Sequence, residues 1–307
     1  MNPTLPPLKG VIPILATPFH DDESLDLASL DRMIRFFAEA GVDGVTVLGV
    51  LGESNRLTDQ ERTALVRTAV KAAGKLPVIV GTSHTGTAAT IALGREAAEL
   101  GAAAVMVAPS KQPAPSDEVV FEYYRRVGEQ TGLPVVLQDH PQSTEVHMPA
   151  PLILRIAAEV PSVVCIKAEA PPSPVKIAAM RNGLGDRAVT ILTGLGALYG
   201  FFDLERGSDG FNTGFAFPEV LMAIVRCVKA GDMDGAWSVY QRFLPLIVFE
   251  QQPGLAIRKE LLRRRGLIAG GRVRHPGGNL APGTADQITS LLVRTFGDAA
   301  LTHPIQV

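Results

Sequence analysis

The sequence predicts an α/β protein: a (β/α)8 barrel of the TIM type carrying a C-terminal helical extension. Three observations predict it. Eight short runs rich in Val and Ile recur between residues 10 and 215, and most are separated by segments with apolar residues three and four apart, the helical period. The runs are almost continuously apolar, as strands are when helices cover both faces of a parallel sheet. Eight regular units favour closure into a barrel over an open doubly wound sheet, and no GxGxxG fingerprint follows the first run.

The elements follow in order. "GVIPILATPF" (10–19) reads as the first strand, and the helix "LASLDRMIRFFAEAG" stops at Gly41, since glycine readily takes the left-handed conformation that ends helices. "VDGVTVLGV" (42–50) is the second strand. The helix "TDQERTALVRTAVKAAG" then opens on Thr58, with Glu61 three residues on, the spacing of a capping box. The third and fourth strands are "PVIVGTSH" (77–84) and "AAAVMVAPS" (102–110), joined through the helix "TAATIALGREAAELG". "PVVLQDHP" (134–141), the helix "APLILRIAAEV", "VVCIKAEA" (163–170), "VTILTGLGA" (189–197) and "GFNTGF" (210–215) complete the alternation. Parallel strands need such crossover connections.

Beyond the eighth strand, "DGAWSVYQRFLPLIVFE", "GLAIRKELLRRRGL" and "ADQITSLLVRTFG" read as further helices. The expected division is residues 1–220 as the catalytic barrel and 221–307 as the eighth helix and extension, with no separate catalytic domain. The dense basic run "RKELLRRRG" (258–266) reads as one solvated helix face.

Composition narrows the function. The 307 residues carry a net charge of -2, with 46% apolar and 20% charged residues, enough for a sizeable core and too few charges for a disordered chain. A pI of about 6.3 offers no global attraction to nucleic acid or anionic lipid. Cys165 and Cys227 lack metal-ligand spacing and cannot build a disulfide framework, which suits a reducing, cytoplasmic setting. "MNPTLPPLKG" places prolines where a signal peptide needs an apolar run. No stretch of roughly 20 apolar residues suggests a membrane span. The expected partner is therefore a small molecule, with no nucleic acid and no membrane. No metal cage and no Walker-type loop is visible, so neither metal nor cofactor is expected.

In a barrel of this kind the chemistry sits at the carboxyl ends of the strands. Those ends offer Thr17, Gly49 to Glu53, Ser83 and His84, Ser110 and Lys111, Gln138 to His140, Lys167 and Glu169, Thr193 and Gly194, and Asn212 to Gly214. Lys167 stands out, because an ammonium ends an apolar strand. Strand side chains alternate, so Cys165, Lys167 and Glu169 share a face if the strand stays extended. A desolvated lysine loses part of its preference for the charged form, and its neutral amine attacks carbonyls to form a Schiff base. The plainer alternative is a strand-end lysine that reaches solvent or pairs with Glu169.

The whole set of strands and loops resembles the dihydrodipicolinate synthase / N-acetylneuraminate lyase family of class I, Schiff-base-forming aldolases and dehydratases. The resemblance runs from about Gly10 into the C-terminal helices. "GVIPILATPF" is similar to the family's first strand, "GVLGESNRLTDQER" to its glycine-rich loop and acidic helix, and "GTSHTGT" to its third strand end. "VVCIK" resembles the strand with the Schiff-base lysine, which places Lys167 on that position, and "GSDGFNTGFAFPE" resembles the eighth strand and turn. The resemblance implies a 2-oxo acid substrate, its carboxylate held by main-chain N–H groups of Val50 to Ser54, Leu51 and Gly52 among them. It also implies a homo-oligomer, commonly a tetramer.

The departures matter as much. Gln138 of "LQDHP" stands where the family carries the tyrosine of its "YNxP" segment, and an amide does not titrate usefully. Val50 and Leu51 replace paired threonines, "PSK" (109–111) replaces a tyrosine-bearing "PYY", and Ser143 replaces a substrate-holding arginine. Dihydrodipicolinate synthesis itself is therefore not expected. "QD-P" on the fifth strand, "K-E" on the sixth and a histidine ending the third resemble the 2-keto-3-deoxyarabonate dehydratases.

Several residues keep two readings. Glu169 is either a general base and acid replacing the absent phenol or a structural partner of Lys167. Gln138 either hydrogen-bonds substrate hydroxyls or fills the tyrosine's space. His140, restricted by Pro141, either anchors its loop or takes part in catalysis. His84 either supports neighbouring groups or contacts substrate. Glu53 either fixes its loop or touches substrate, Asp139 points away from Gln138's face, and Tyr123 and Tyr124 pack. Gly49 and Gly52 allow a ligand close to the backbone, and Gly194 leaves room for substrate near the lysine. The expected function is a Schiff-base lyase on 2-oxo acids, dehydrating a 2-keto-3-deoxy sugar acid. The alternatives are a pyruvate-releasing aldolase of the same family and a non-catalytic 2-oxo acid binder.

Overall fold

Residues 7–113, 116–251 and 254–307 are described by a computed structural model; residues 1–6, part of the N-terminal reading above, lie outside them. The strands are β1 (Gly10–Val11), β2 (Val45–Val47), β3 (Val78–Gly81), β4 (Ala104–Val107), β5 (Val135–Asp139), β6 (Val163–Ala168), β7 (Thr190–Thr193) and β8 (Gly210–Phe211). All neighbours are parallel, in the order β1-β8-β7-β6-β5-β4-β3-β2. A parallel bridge between Ile14 and Thr46 joins the two ends and closes the barrel. The strands are shorter than the apolar runs that encode them, because each run continues into the loops at the barrel mouth.

Alternation sorts the side chains. Ile12, Ile14, Ile79, Ala104, Met106, Val136, Cys165 and Leu192 fill the barrel interior, while the intervening residues pack under the helices in a second, larger core. One interior step beyond Val136 and Cys165 come Gln138 and Lys167, directly paired across β5 and β6. The barrel floor is thus apolar, and its upper layer turns polar where the strands end.

The helical punctuation follows local chemistry. Helix Leu27–Ala40 ends at Gly41 with φ 90°. Helix Asp59–Ala73 opens on the reciprocal Thr58–Glu61 capping box, a device of about 1 kcal/mol. Tyr124 donates to the Val107 carbonyl at 2.9 Å and Tyr123 to that of Ala108 at 3.3 Å, so both tie helix Asp117–Gln130 to β4.

The eighth barrel helix spans Pro218–Lys229, and helices Met233–Glu250, Leu255–Arg264 and Thr284–Phe296 follow it. Their apolar residues, including Phe243, Leu246, Ile257 and Leu261, merge with the barrel's outer core. None of the described helices is long and apolar enough to cross a membrane.

The basic run 258–266 departs from its reading as a solvated face. Arg258, Lys259 and Arg265 are 3%, 0% and 1% exposed. Each finds a buried carboxylate: Arg258 pairs with Glu250, Lys259 with Glu53 at 2.5 Å, and Arg265 with Glu219 at 2.5 Å. A charge is tolerated inside only when so paired. The partners come from other segments, so a local charge pattern cannot reveal them.

Candidate active site

A cavity of about 160 Å3 opens at the carboxyl mouth of the barrel. Its wall includes Ile14 after β1, Val50 and Leu51 after β2, Gln138, His140 and Gln142 at β5, and Lys167 and Glu169 at β6. Leu195 and Gly196 after β7, Thr213 and Gly214 after β8, and Gln251, Gly254 and Arg258 of the extension complete it.

Lys167 and Glu169 meet at its base. Lys167 Nζ lies 3.1 Å from Glu169 Oε2, and both side chains are buried. Glu169 stands one residue past the end of β6, where its N–H still donates to the Asp139 carbonyl at 3.0 Å. That bond keeps the backbone extended for one more residue, which holds Glu169 on the lysine's face. The Gln138 amide donates to the same Oε2 at 2.8 Å, and the Leu195 N–H reaches Oε1 at 3.3 Å. Burial pushes the Glu169 carboxyl up, but Lys167, His140 and the Gln138 amide outweigh it and hold the group below its ordinary value. Glu169 is therefore a carboxylate at neutral pH, poised beside the amine.

His140 sits at the rim with Nδ1 2.6 Å from Ser143 Oγ. Burial, helped by nearby Lys167 and opposed by Glu169, pulls its imidazole below the ordinary value, so near neutral pH the ring is uncharged. Asp139 faces the other way, with Lys176 Nζ 2.5 Å from its carboxylate.

The loop after β2 curls into a short turn, Val50–Gly52. Gly52 and Glu53 return their N–H groups to the Gly49 and Val50 carbonyls at 2.9 and 3.1 Å, whereas no described acceptor takes those of Val50 and Leu51. Thr17 donates to the Gly52 carbonyl at 2.6 Å. Glu53 turns inward: its carboxylate holds Lys259, Arg56 at 2.7 Å and the Arg274 N–H at 3.0 Å. It thereby pins this loop to the extension.

His84 and Gly194 lie outside the wall of this cavity. His84 is exposed, accepts the Gly86 N–H at 3.0 Å, and borders a neighbouring cavity of about 510 Å3 that shares Val50 and Gln138. Gly194 borders Glu169 instead: a Cβ there would overlap the Glu169 side chain. Among the described residues no cluster of His, Cys, Asp or Glu is arranged to hold a metal.

Arg258 was not among the candidates in the sequence. It reaches the cavity from helix Leu255–Arg264 of the extension, 3% exposed. The one signal was its place in a basic run, which pointed to solvent.

A closed parallel barrel with an amine and a carboxylate buried together at its mouth defines a class, the TIM barrels with a polar site at the carboxyl ends of the strands. The chain belongs to the dihydrodipicolinate synthetase family, whose model matches residues 7–294. It is 36% identical over 291 residues to L-2-keto-3-deoxyarabonate dehydratase from Azospirillum brasilense, covering 93% of this chain and 94% of that protein. A dihydrodipicolinate synthase from Rhodopseudomonas palustris shares the fold with a TM-score of 0.89 and 40% identity, over 93% of this chain and 97% of that one. YagE, a prophage protein of the dihydrodipicolinic acid synthase family from E. coli K12 solved in complex with pyruvate, gives a TM-score of 0.87 at 27% identity, over 94% and 98% of the two chains.

Proposed function

We propose that this protein is a Schiff-base lyase that dehydrates a 2-keto-3-deoxy sugar acid. The observation that carries the proposal is the 3.1 Å approach of Lys167 Nζ to Glu169 Oε2, in a cavity with no tyrosine among its described lining residues. Proton transfer there falls to the carboxylate. The Azospirillum dehydratase supports the substrate class, and the pyruvate complex of YagE supports a 2-oxo acid as ligand.

The steps balance on these two side chains. Lys167 passes a proton to Glu169, and its neutral amine attacks the C2 carbonyl to give a carbinolamine. Glu169 returns the proton to the departing hydroxyl, water leaves, and an iminium remains beside the carboxylate. The iminium draws electrons from C3, so Glu169 takes a C3 proton and an enamine forms. The enamine electrons expel the C4 hydroxyl, which leaves as water with the proton from Glu169. Hydrolysis of the unsaturated iminium frees Lys167. General acid–base help of this kind contributes roughly 10²- to 10⁴-fold.

The test combines trapping with turnover. Borohydride reduction with pyruvate is expected to leave an adduct on Lys167 by mass spectrometry, and 2-keto-3-deoxypentonate is expected to be consumed without release of pyruvate. No adduct on Lys167 would sink the Schiff-base reading. Free pyruvate as product would assign an aldolase, and an adduct without turnover of any 2-keto-3-deoxy acid would leave a binder. Glu169→Gln is expected to trap pyruvate still but turn over 10²- to 10⁴-fold more slowly, by the loss of acid–base help.

A further inference from the structure

We infer that Arg258 supplies the cation that holds the C1 carboxylate of the 2-oxo acid, acting with the main-chain N–H groups of Val50 and Leu51. The inference rests on the reading of Lys167 as the Schiff-base amine and goes beyond it, because it assigns a substrate contact to the C-terminal extension.

The guanidinium is buried yet incompletely used. Its Nε donates to Glu250, whose other oxygen accepts the Ala216 N–H at 3.1 Å, so the head is held in one orientation. Its Nη1 is buried with no hydrogen-bond partner. Buried donors without partners are uncommon, and a charged one is costly to leave so. Arg258 is one of the residues that line the cavity, and its Nη1 lies close to other lining groups. That nitrogen lies 2.8 Å from where a Cβ on Gly214 would stand, and the same point is 2.5 Å from Leu51 Cδ1 and 3.0 Å from the Ile14 carbonyl oxygen. Ile14, Leu51 and Gly214 all line the cavity. A side chain at 214 would collide with Nη1, so glycine is what lets the guanidinium pack this close to the end of β8.

Charge selects the ligand. A 2-oxo acid bound through C2 at Lys167 brings its carboxylate one bond away, inside a cavity of only about 160 Å3. Glu169 occupies the side next to the lysine, so a substrate carboxylate is favoured on the opposite side, where β1 and β8 end. Val50 and Leu51, whose N–H groups have no described acceptor, line the cavity together with Arg258. Val50 and Leu51 carry no side-chain donor, and Arg258 is the one cation besides Lys167 among the described lining residues. A guanidinium suits a carboxylate through directed, charge-assisted hydrogen bonds.

Pyruvate and its neutral amide, pyruvamide, test this, since they share shape and ketone and differ in charge. Wild-type enzyme is expected to be half-trapped by borohydride at a much lower concentration of pyruvate than of pyruvamide. Removing the cation together with its carboxylate partner, as Arg258→Gln/Glu250→Gln, is expected to raise the pyruvate concentration needed by at least about tenfold, with trapping by pyruvamide unchanged. An unaltered preference for pyruvate would overturn the inference. If the double variant does not fold, Arg258→Lys decides: a point charge is expected to keep the preference with a raised half-saturation, and an unmoved half-saturation overturns the assignment. A wild type that forms no adduct rejects the Schiff-base reading and this inference with it. A wild-type adduct with an unmoved variant rejects only the role of Arg258.

Discussion

Gly194 makes the space that the Glu169 carboxylate occupies. A Cβ on Gly194 would overlap Cγ, Cδ and Oε1 of Glu169; Oε1 accepts the Leu195 N–H, and Oε2 on the same carboxylate faces Lys167. Its φ of -109° lies outside the left-handed region, and the overlap with Glu169 is a requirement of volume. Gly194→Ala is therefore expected to rotate Glu169 away from the amine. On the proposed mechanism kcat falls roughly 10²- to 10⁴-fold, while pyruvate still traps on Lys167, and overpacking costs about 1–3 kcal/mol of stability. Steady-state kinetics beside trapping checks this, and a near-normal kcat would contradict it.

Gln138 stands on the residue opposite Lys167 in β5 and spends its amide on Glu169. That bond is one of the influences holding the carboxyl below its ordinary value of 4.5. The carboxylate form persists as pH falls until the depressed value is reached, so the acid limb of kcat/KM is expected below pH 4.5 in the wild type. Gln138→Leu removes a lowering contact, the Glu169 value rises, and the acid limb moves to higher pH. The pH profile of kcat/KM reports the free enzyme. A limb that stays in place would show that the amide does not tune this carboxylate.

The legible part of this molecule is what alternation and local punctuation encode. Eight apolar runs gave eight strands, Thr58 and Glu61 made their capping box, and a period of two put Lys167 and Glu169 on one face. Contacts between distant segments were not legible. Gly194 reads as open space in a sequence, yet its neighbour is a side chain 25 residues earlier. Arg258 and Lys259 look solvated because their carboxylates, Glu250 and Glu53, belong to other elements. Charge runs report composition, and only the fold decides which charge is buried.

Lys259 is the clearest test of how the extension supports the site. Burial pulls its ammonium down to about 8 against the pull of Glu53, so desolvation outweighs the pairing. Such a pair contributes little net stability, but breaking it from one side leaves a buried charge, at a cost of roughly 3–5 kcal/mol. Arg56 and the Arg274 N–H still hold Glu53, which places Lys259→Met near the lower end. Neutralising both partners, as Glu53→Gln/Lys259→Met, is expected to recover most of that loss in urea unfolding. It is also expected to raise KM, because the turn bearing Val50 and Leu51 loses its tie. A double variant no more stable than Lys259→Met would refute the unpaired-charge account.

Glu61 joins the second barrel helix to the extension through Arg274, at 2.6 Å. The Arg274 guanidinium, opposed by burial and helped by the Thr58 N–H, brings its carboxyl from 4.5 to about 2. A carboxyl lowered on folding adds stability that is complete above its unfolded value and is lost as pH falls through the folded one. The advantage of wild type over Glu61→Gln is therefore expected to be full at pH 7, to shrink below about pH 4.5, and to vanish near pH 2. Its size is about 1–2 kcal/mol, less than the shift alone implies, because both side chains keep some contact with water. Glutamine still offers a carbonyl to the Thr58 N–H, so the helix cap survives and the variant isolates the charge. Urea unfolding at pH 7, 5, 3 and 2 measures the difference, and a gap that stays constant across that range would rule out the ion pair as its source.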